Sequence, residues 1–219
     1  MALRKILLGN VAIALFLRNP TLFLSNVRKR CPSLPVFGYL SDICERLSDS
    51  PAQKLREIGM LDEAVRKTSR RQFWLSWQLN QELAQLEEPI LKSRPISETR
   101  PRKVVCFLTN SKPYSNSGYA IRSHEILKAL DTANVQIQGV TRFGYPYVVG
   151  KSPQTTAENW DNIPYFRIVP KYFPISWKKE FEKAVEHLTT FVRDSEAELI
   201  HCTTGFQNAQ VVSAAAEQA

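Results

Sequence analysis

The stretch from Arg102 to Arg142, RKVVCFLTNSKPYSNSGYAIRSHEILKALDTANVQIQGVTR, constrains the fold more than any other part of the chain. Val104-Val105-Cys106-Phe107-Leu108 is a short, β-rich apolar run bounded by Arg102-Lys103 and Thr109-Asn110, the pattern of a strand buried on both faces. The loop from Asn110 to Ser117 turns at Gly118. Tyr119, Ser123, Ile126, Leu127 and Leu130 then recur on one face of a helix. Val135 to Val140 reads as the returning strand. A strand–helix–strand unit pairs its strands in parallel and needs neighbours to bury both faces. The expected class is therefore α/β with an open parallel sheet.

The downstream sequence extends that pattern. Phe143-Gly144-Tyr145-Pro146-Tyr147 is a turn-rich loop, and a polar stretch follows to Asn162. Tyr165 to Val169 is a short strand. Pro174-Ile175-Ser176 leads into a long helix with Trp177, Phe181, Val185, Leu188 and Val192 on one face. Glu198 to Cys202 is the next strand, Thr203-Thr204-Gly205 its exit loop, and a further helix runs from Ala209 to Ala216. Strand–helix alternation places a cleft above the carboxyl ends of the strands. The last helix has no following strand to return to, so residues 103–219 read as an incomplete domain.

Residues 1–92 read as a helical region, and 93–102 (SRPISETRPR), with two prolines and three arginines, as a linker. Of the net charge of +8, +7 falls in residues 1–102 and +1 in the remainder. Ile6 to Leu17 is apolar between Arg4-Lys5 and Arg18, but too short to cross a bilayer, which takes about 20 residues. It reads as a packed helix, with an interfacial helix or a signal segment as alternatives. Pro20, Pro32 and Pro35 break residues 1–50 into pieces. The cluster Arg28-Lys29-Arg30 is either a solvated helix end or an attraction to anionic lipid. No nucleic-acid motif or aromatic interleaving accompanies the charge, which argues against a nucleic-acid partner.

Ser50-Pro51 opens a helix carrying Ala52, Leu55 and Ile58 that stops at Gly59; Leu61 to Val65 begins another. LREIGMLDEAV resembles the turn and second helix of a tetratricopeptide repeat, although no second copy follows at the 34-residue period. Leu79, Leu83, Leu86 and Ile90 mark a helical stripe that Phe73, Trp74 and Trp77 enlarge, and Pro89 should end it. Cys31, Cys44, Cys106 and Cys202 show neither a CxxC nor a Cys/His spacing, so neither zinc nor a disulfide framework is expected, and a reducing compartment is.

Three features bear on chemistry. Ser117-Gly118-Tyr119 opens a helix whose free N–H groups could receive an anion, with Arg122 one turn on; a lone glycine is neither a dinucleotide fingerprint nor a P-loop. His201 ends a predicted strand, where ligands bind in open α/β sheets. His124 and His187 lie on helix faces and read as structural or solvated. Ser123-His124 is too local for a triad, and no paired carboxylates stand at strand ends.

The run VCFLTNSKPYSNSGYAIRSHEILKAL…VQIQGVTRFGYP, followed by AELIHCTTGFQNA, resembles the N-terminal domain of glycosyltransferase family 4. The resemblance covers about Arg102 to Ala219. It implies the acceptor-side, Rossmann-like half of a two-domain (GT-B) retaining enzyme, moving a hexosyl-type sugar from a nucleotide-sugar donor to a glycan or glycolipid acceptor, with no other cofactor. By the same resemblance Ser117, Gly118 and Tyr119 face the donor diphosphate and acceptor. Arg122, Gly144 and Tyr145 line the acceptor side, and His201 stands at the transfer point. Many members carry a second histidine where this chain has Thr203. The donor-binding half of the family is not among these residues, so the covered part alone is expected to be inactive. Polysaccharide or glycolipid synthesis on the cytoplasmic face, with residues 1–30 touching the membrane, suits the charge distribution. A non-catalytic helical interaction module joined to a Rossmann-like remnant is the competing expectation.

Overall fold

The computed structural model describes residues 2–30, 36, 39–40, 42, 50–88 and 102–219. These divide into two compact units. One, the sheet unit, comprises Met1–Val11, Pro89–Phe173 and Lys179–Ala219; the other, the helical unit, comprises Ala12–Glu88 and Pro174–Lys178.

In the sheet unit β1 (Lys103–Leu108) is followed by α6 (Gly118–Thr132) and β2 (Gln136–Thr141). A hairpin of β3 (Ala157–Trp160) and β4 (Ile163–Arg167) comes next, then α7 (Trp177–Ser195), β5 (Leu199–Cys202) and α8 (Phe206–Gln218). Five strands form one sheet in the order β3-β4-β2-β1-β5, all parallel except β3. The α/β class and its mostly parallel sheet thus agree with the sequence. The antiparallel β3 does not appear in the sequence reading, because Ala157-Glu158-Asn159-Trp160 is a short, largely polar and mostly exposed edge strand with no apolar run to mark it. Asp161 and Asn162 both take positive φ, 49° and 65°, a tight hairpin that compresses the connection to two polar residues.

Val104, Cys106 and Leu108 turn to one face and pack with Leu127 of α6, Ile137, Ile163 and Tyr165. On the other face Phe166 meets Phe191 of α7, ring centroids 4.8 Å apart. Gly139 on β2 stands opposite Tyr165 of β4, and a Cβ there would lie 2.7 Å from the tyrosine ring. The glycine therefore makes room for an aromatic ring to cross the strand.

In the helical unit α3 (Pro51–Glu57), α4 (Leu61–Lys67) and α5 (Phe73–Glu87) enclose a small core of Ala52, Ala64 and Leu79. Ser50 caps α3 by accepting from the Gln53 N–H at 3.2 Å, and Pro51 takes the first turn, as the sequence suggests. Arg56 of α3 forms a forked ion pair with Glu82 of α5. Of the aromatic group, Trp74 and Trp77 stack at 5.0 Å while Phe73 is 68% exposed, and Leu86 is exposed too, so the stripe is only partly core. Upstream, α1 (Ala2–Arg18) and α2 (Pro20–Arg30) meet at Asn19; α2 ends on Arg28, Lys29 and Arg30, all exposed, with cations where a helix C-terminus favours them. No helix among the described residues is long and apolar enough to cross a membrane. Pro32, Pro35, Cys31, Cys44, Ile90 and all of the predicted linker except Arg102 lie outside the described residues.

Candidate functional site

The carboxyl ends of β4, β2, β1 and β5 lie side by side along one edge of the sheet. From β1 the chain steps outward to β2 and β4, then crosses to β5 on the other side of β1. Connections therefore diverge between β1 and β5, which is where open α/β sheets leave a crevice. Here the loops are sewn together. Thr109, just past β1, has its hydroxyl 3.0 Å from the Thr204 hydroxyl, and Asn208 of α8 donates at 2.8 Å to both Thr109 Oγ1 and the Thr203 carbonyl. Thr203 itself donates its N–H to the Phe107 carbonyl at 3.2 Å and is half-buried.

Ser117 caps α6, its hydroxyl accepting from the Ala120 N–H at 3.3 Å. Gly118 is exposed, and a Cβ there would meet nothing within 4 Å. Nothing among the described residues calls for glycine at that position, and the space beside it is open. Tyr119 is 65% exposed and Arg122 is exposed on the same helix. His201 is exposed on the edge strand β5, level with Cys106, and one residue short of the strand end. No hydrogen bond joins His201 to Ser117, Arg122 or Thr203 among the described residues.

Gly144 and Tyr145 are both buried. Gly144 takes φ 77°, and a Cβ on it would sit 2.4 Å from the Phe173 ring, so the position excludes other residues twice over. The Tyr145 hydroxyl donates to the Ser111 carbonyl at 2.7 Å and accepts from the Ser111 N–H at 3.1 Å. Tyr145 thus fastens the loop after β1 from beneath instead of presenting itself at a cleft wall.

The same loop is held by a group absent from the sequence reading. Arg167, at the end of β4, is buried and donates to the Ser111 hydroxyl, to the Lys112 carbonyl at 2.7 Å and to Glu158 of β3 at 3.3 Å. The rings of Tyr165, Tyr114 and Tyr145 surround its guanidinium at 5.0, 5.4 and 5.9 Å. Glu158 also accepts from the Tyr114 hydroxyl. Burial lowers the Arg167 pKa and the Glu158 carboxylate opposes that shift; burial, helped by Glu158, pushes Tyr114 up to about 12. The available signal was an arginine inside the apolar run Tyr165 to Val169, since an arginine there must find a carboxylate.

Of the two readings open for this position, structural or solvated, His124 takes the structural one. It is 3% exposed, with Nδ1 2.7 Å from the Tyr165 hydroxyl and Nε2 3.1 Å from Asp161 Oδ2 in the β3–β4 turn. It ties α6 to the edge hairpin. His187 is exposed, its ring 6.0 Å from that of Phe143. Among the described residues no group of three His, Cys, Asp or Glu side chains is placed to hold a metal ion. An open cavity of about 210 Å³, lined by Lys103, Gln136, Gln138 and Ser195, lies at the opposite, amino-terminal end of the strands. It is far along the strands from the loops just described.

Comparison with protein-family models, with curated proteins and with solved structures finds no match for this chain.

Proposed function

We propose that the sheet unit is a Rossmann-like, acceptor-side half of a retaining glycosyltransferase, which works on a nucleotide-sugar donor and a glycan or glycolipid acceptor. One observation carries the reading. The open space beside Gly118, at the capped start of α6, and the Thr203–Gly205 loop stand at the carboxyl ends of β1 and β5, the two strands between which the connections diverge. The amino terminus of α6 suits a diphosphate, and exposed Tyr119 and Arg122 suit stacking and hydrogen bonding to a sugar. His201, exposed near the end of β5, is the side chain assigned to the transfer point on the resemblance alone.

The test is saturation-transfer NMR on the purified chain with panels of nucleotide-sugars and oligosaccharides, repeated on Gly118→Ala. Binding of a member of either panel that weakens in the variant supports the reading. Silence across both panels removes it, and turnover by this chain alone removes its half-site aspect. We place residues 1–30 against an anionic membrane surface on the exposure of Ile13, Phe16 and Leu22 together with Arg28, Lys29 and Arg30. Co-sedimentation with anionic liposomes should fall when residues 1–30 are deleted; equal sedimentation withdraws this part.

The second reading, a helical interaction module, draws on Ile58, Phe73 and Leu86, which are large, apolar and exposed on the helical unit. A partner captured through these residues, with no sugar ligand for the sheet unit, would favour it.

A further inference from the structure

Two arginines stand at the carboxyl ends of neighbouring strands, and they are treated differently. Arg167 closes β4, and Arg142 follows β2 one position beyond Thr141, the residue paired with Arg167 across the ladder. Arg167 is fully engaged by Glu158, Ser111 and Lys112. The Arg142 backbone is fixed, its N–H donating to the Leu108 carbonyl at 2.8 Å, but its guanidinium makes no hydrogen bond and no ion pair with any described residue. The Nε atom is buried and without a partner. Tyr145 and Glu180 of α7 are the groups near enough to act on its charge. Burial lowers the Arg142 pKa and the Glu180 charge opposes that shift, so the cation is desolvated with no hydrogen-bonded partner on its guanidinium among the described residues.

We infer that Arg142 is the anchor of a small-molecule site at the end of β2 that takes an oxyanion, a phosphate or a carboxylate, on the guanidinium fork. An arginine fork matches two oxygens of either group, and a ligand would satisfy the buried Nε–H that the chain leaves unpaired. The location fits the general placement of ligands outside the carboxyl ends of strands. Nothing in this inference depends on glycosyl transfer; a site for an oxyanion stands or falls by itself.

The experiment is an NMR titration of the full ¹⁵N-labelled chain with sodium phosphate and, separately, sodium acetate at constant ionic strength. The expected result is a saturable shift of the Arg142 Nε–Hε signal and of the Phe143 and Gly144 amides with at least one anion. The anion that saturates tells a phosphate ligand from a carboxylate one. Arg142→Gln should weaken that binding about tenfold or more, read on the two amides, whereas Lys128→Gln on the exposed face of α6 should leave it unchanged. Linear, unsaturated shifts with both anions overturn the inference, as does wild-type affinity in Arg142→Gln. Should that variant fail to fold, Arg142→Lys keeps the charge and loses the fork: weaker binding upholds the site, and unchanged binding overturns it.

Discussion

Arg167 and Glu158 show how a buried charge is made tolerable and what it then controls. The arginine side chain is fully buried, and its partners are a carboxylate, a hydroxyl, a carbonyl and three aromatic faces. Through Ser111 and Lys112 the pair fixes the loop that leads to Ser117 and Gly118, so a residue on β4 sets the geometry of a loop some 50 positions earlier in the chain. Glu158→Gln should cost about 3 kcal/mol in urea unfolding, because the guanidinium stays buried beside a neutral amide. The Glu158→Gln, Arg167→Met double variant should lose less than the sum of the two single variants, since removing both partners leaves no uncompensated charge. Additive losses would show that the pair does not act as a unit. Tyr145 works on the same loop, and Tyr145→Phe should cost about 1–2 kcal/mol by leaving the Ser111 N–H without a partner, while the Ser111 carbonyl keeps the Ser115 N–H.

At the scale of elements, the loops at the carboxyl ends of β1 and β2 use glycine for opposite reasons. Gly144 is required from within, by a positive φ and by the Phe173 ring, whereas Gly118 opens α6 into empty space with no backbone demand. Gly144→Ala should therefore lose about 1–3 kcal/mol of stability and Gly118→Ala less than about 0.5 kcal/mol, both read by urea unfolding. A stable Gly118→Ala chain that loses ligand binding would mark the amino terminus of α6 as a ligand contact. In the helical unit the core is small, Ala52 and Ala64 allowing three helices to approach around Leu79. Leu79→Ala should cost about 2–5 kcal/mol, seen as faster amide exchange in α3, α4 and α5.

For the whole molecule, pH dependence follows from several groups held neutral by burial. Cys106 is pushed up from 9.0 to about 12 by desolvation in β1, and burial likewise raises Tyr145 and Tyr165. The unfolded chain sheds the Cys106 proton near pH 9 and the folded chain keeps it. Between those two pKa values the unfolded state binds fewer protons, so the contribution of Cys106 to stability is full below pH 9 and falls as pH rises above it. The slope from one such group approaches about 1.4 kcal/mol per pH unit. Urea unfolding from pH 8 to 11 should show this decline, and Cys106→Ala should make it shallower; an unchanged slope would place the effect in the tyrosines. Alkylation at pH 8 mapped by mass spectrometry should modify exposed Cys202 and spare Cys106.

The sequence by itself determined the elements whose signal is local. The apolar run of β1, the amphipathic face of α7 and the Ser50-Pro51 start of α3 are written in neighbouring residues, because burial periodicity and capping act over a few positions. The face of α6 is only partly so: Ser123 and Leu127 are buried as expected, but Tyr119 and Ile126 are exposed and Ala120 and His124 take their places. It also marked Ser117 to Arg122 and the Thr203 loop as strand-end features. Tertiary structure decided what depends on residues far apart in the chain. Glu158 becomes the partner of Arg167 only when β3 folds back on β4, and Tyr145 reaches Ser111 only because β1 and β2 lie side by side. His124 changes from a helix-surface residue to a buried link because Gly139 lets the Tyr165 ring through to meet it. Whether a polar side chain is exposed, fastened or left unpaired, as at Arg142, is settled by the surroundings that distant segments supply, and no local pattern encodes them.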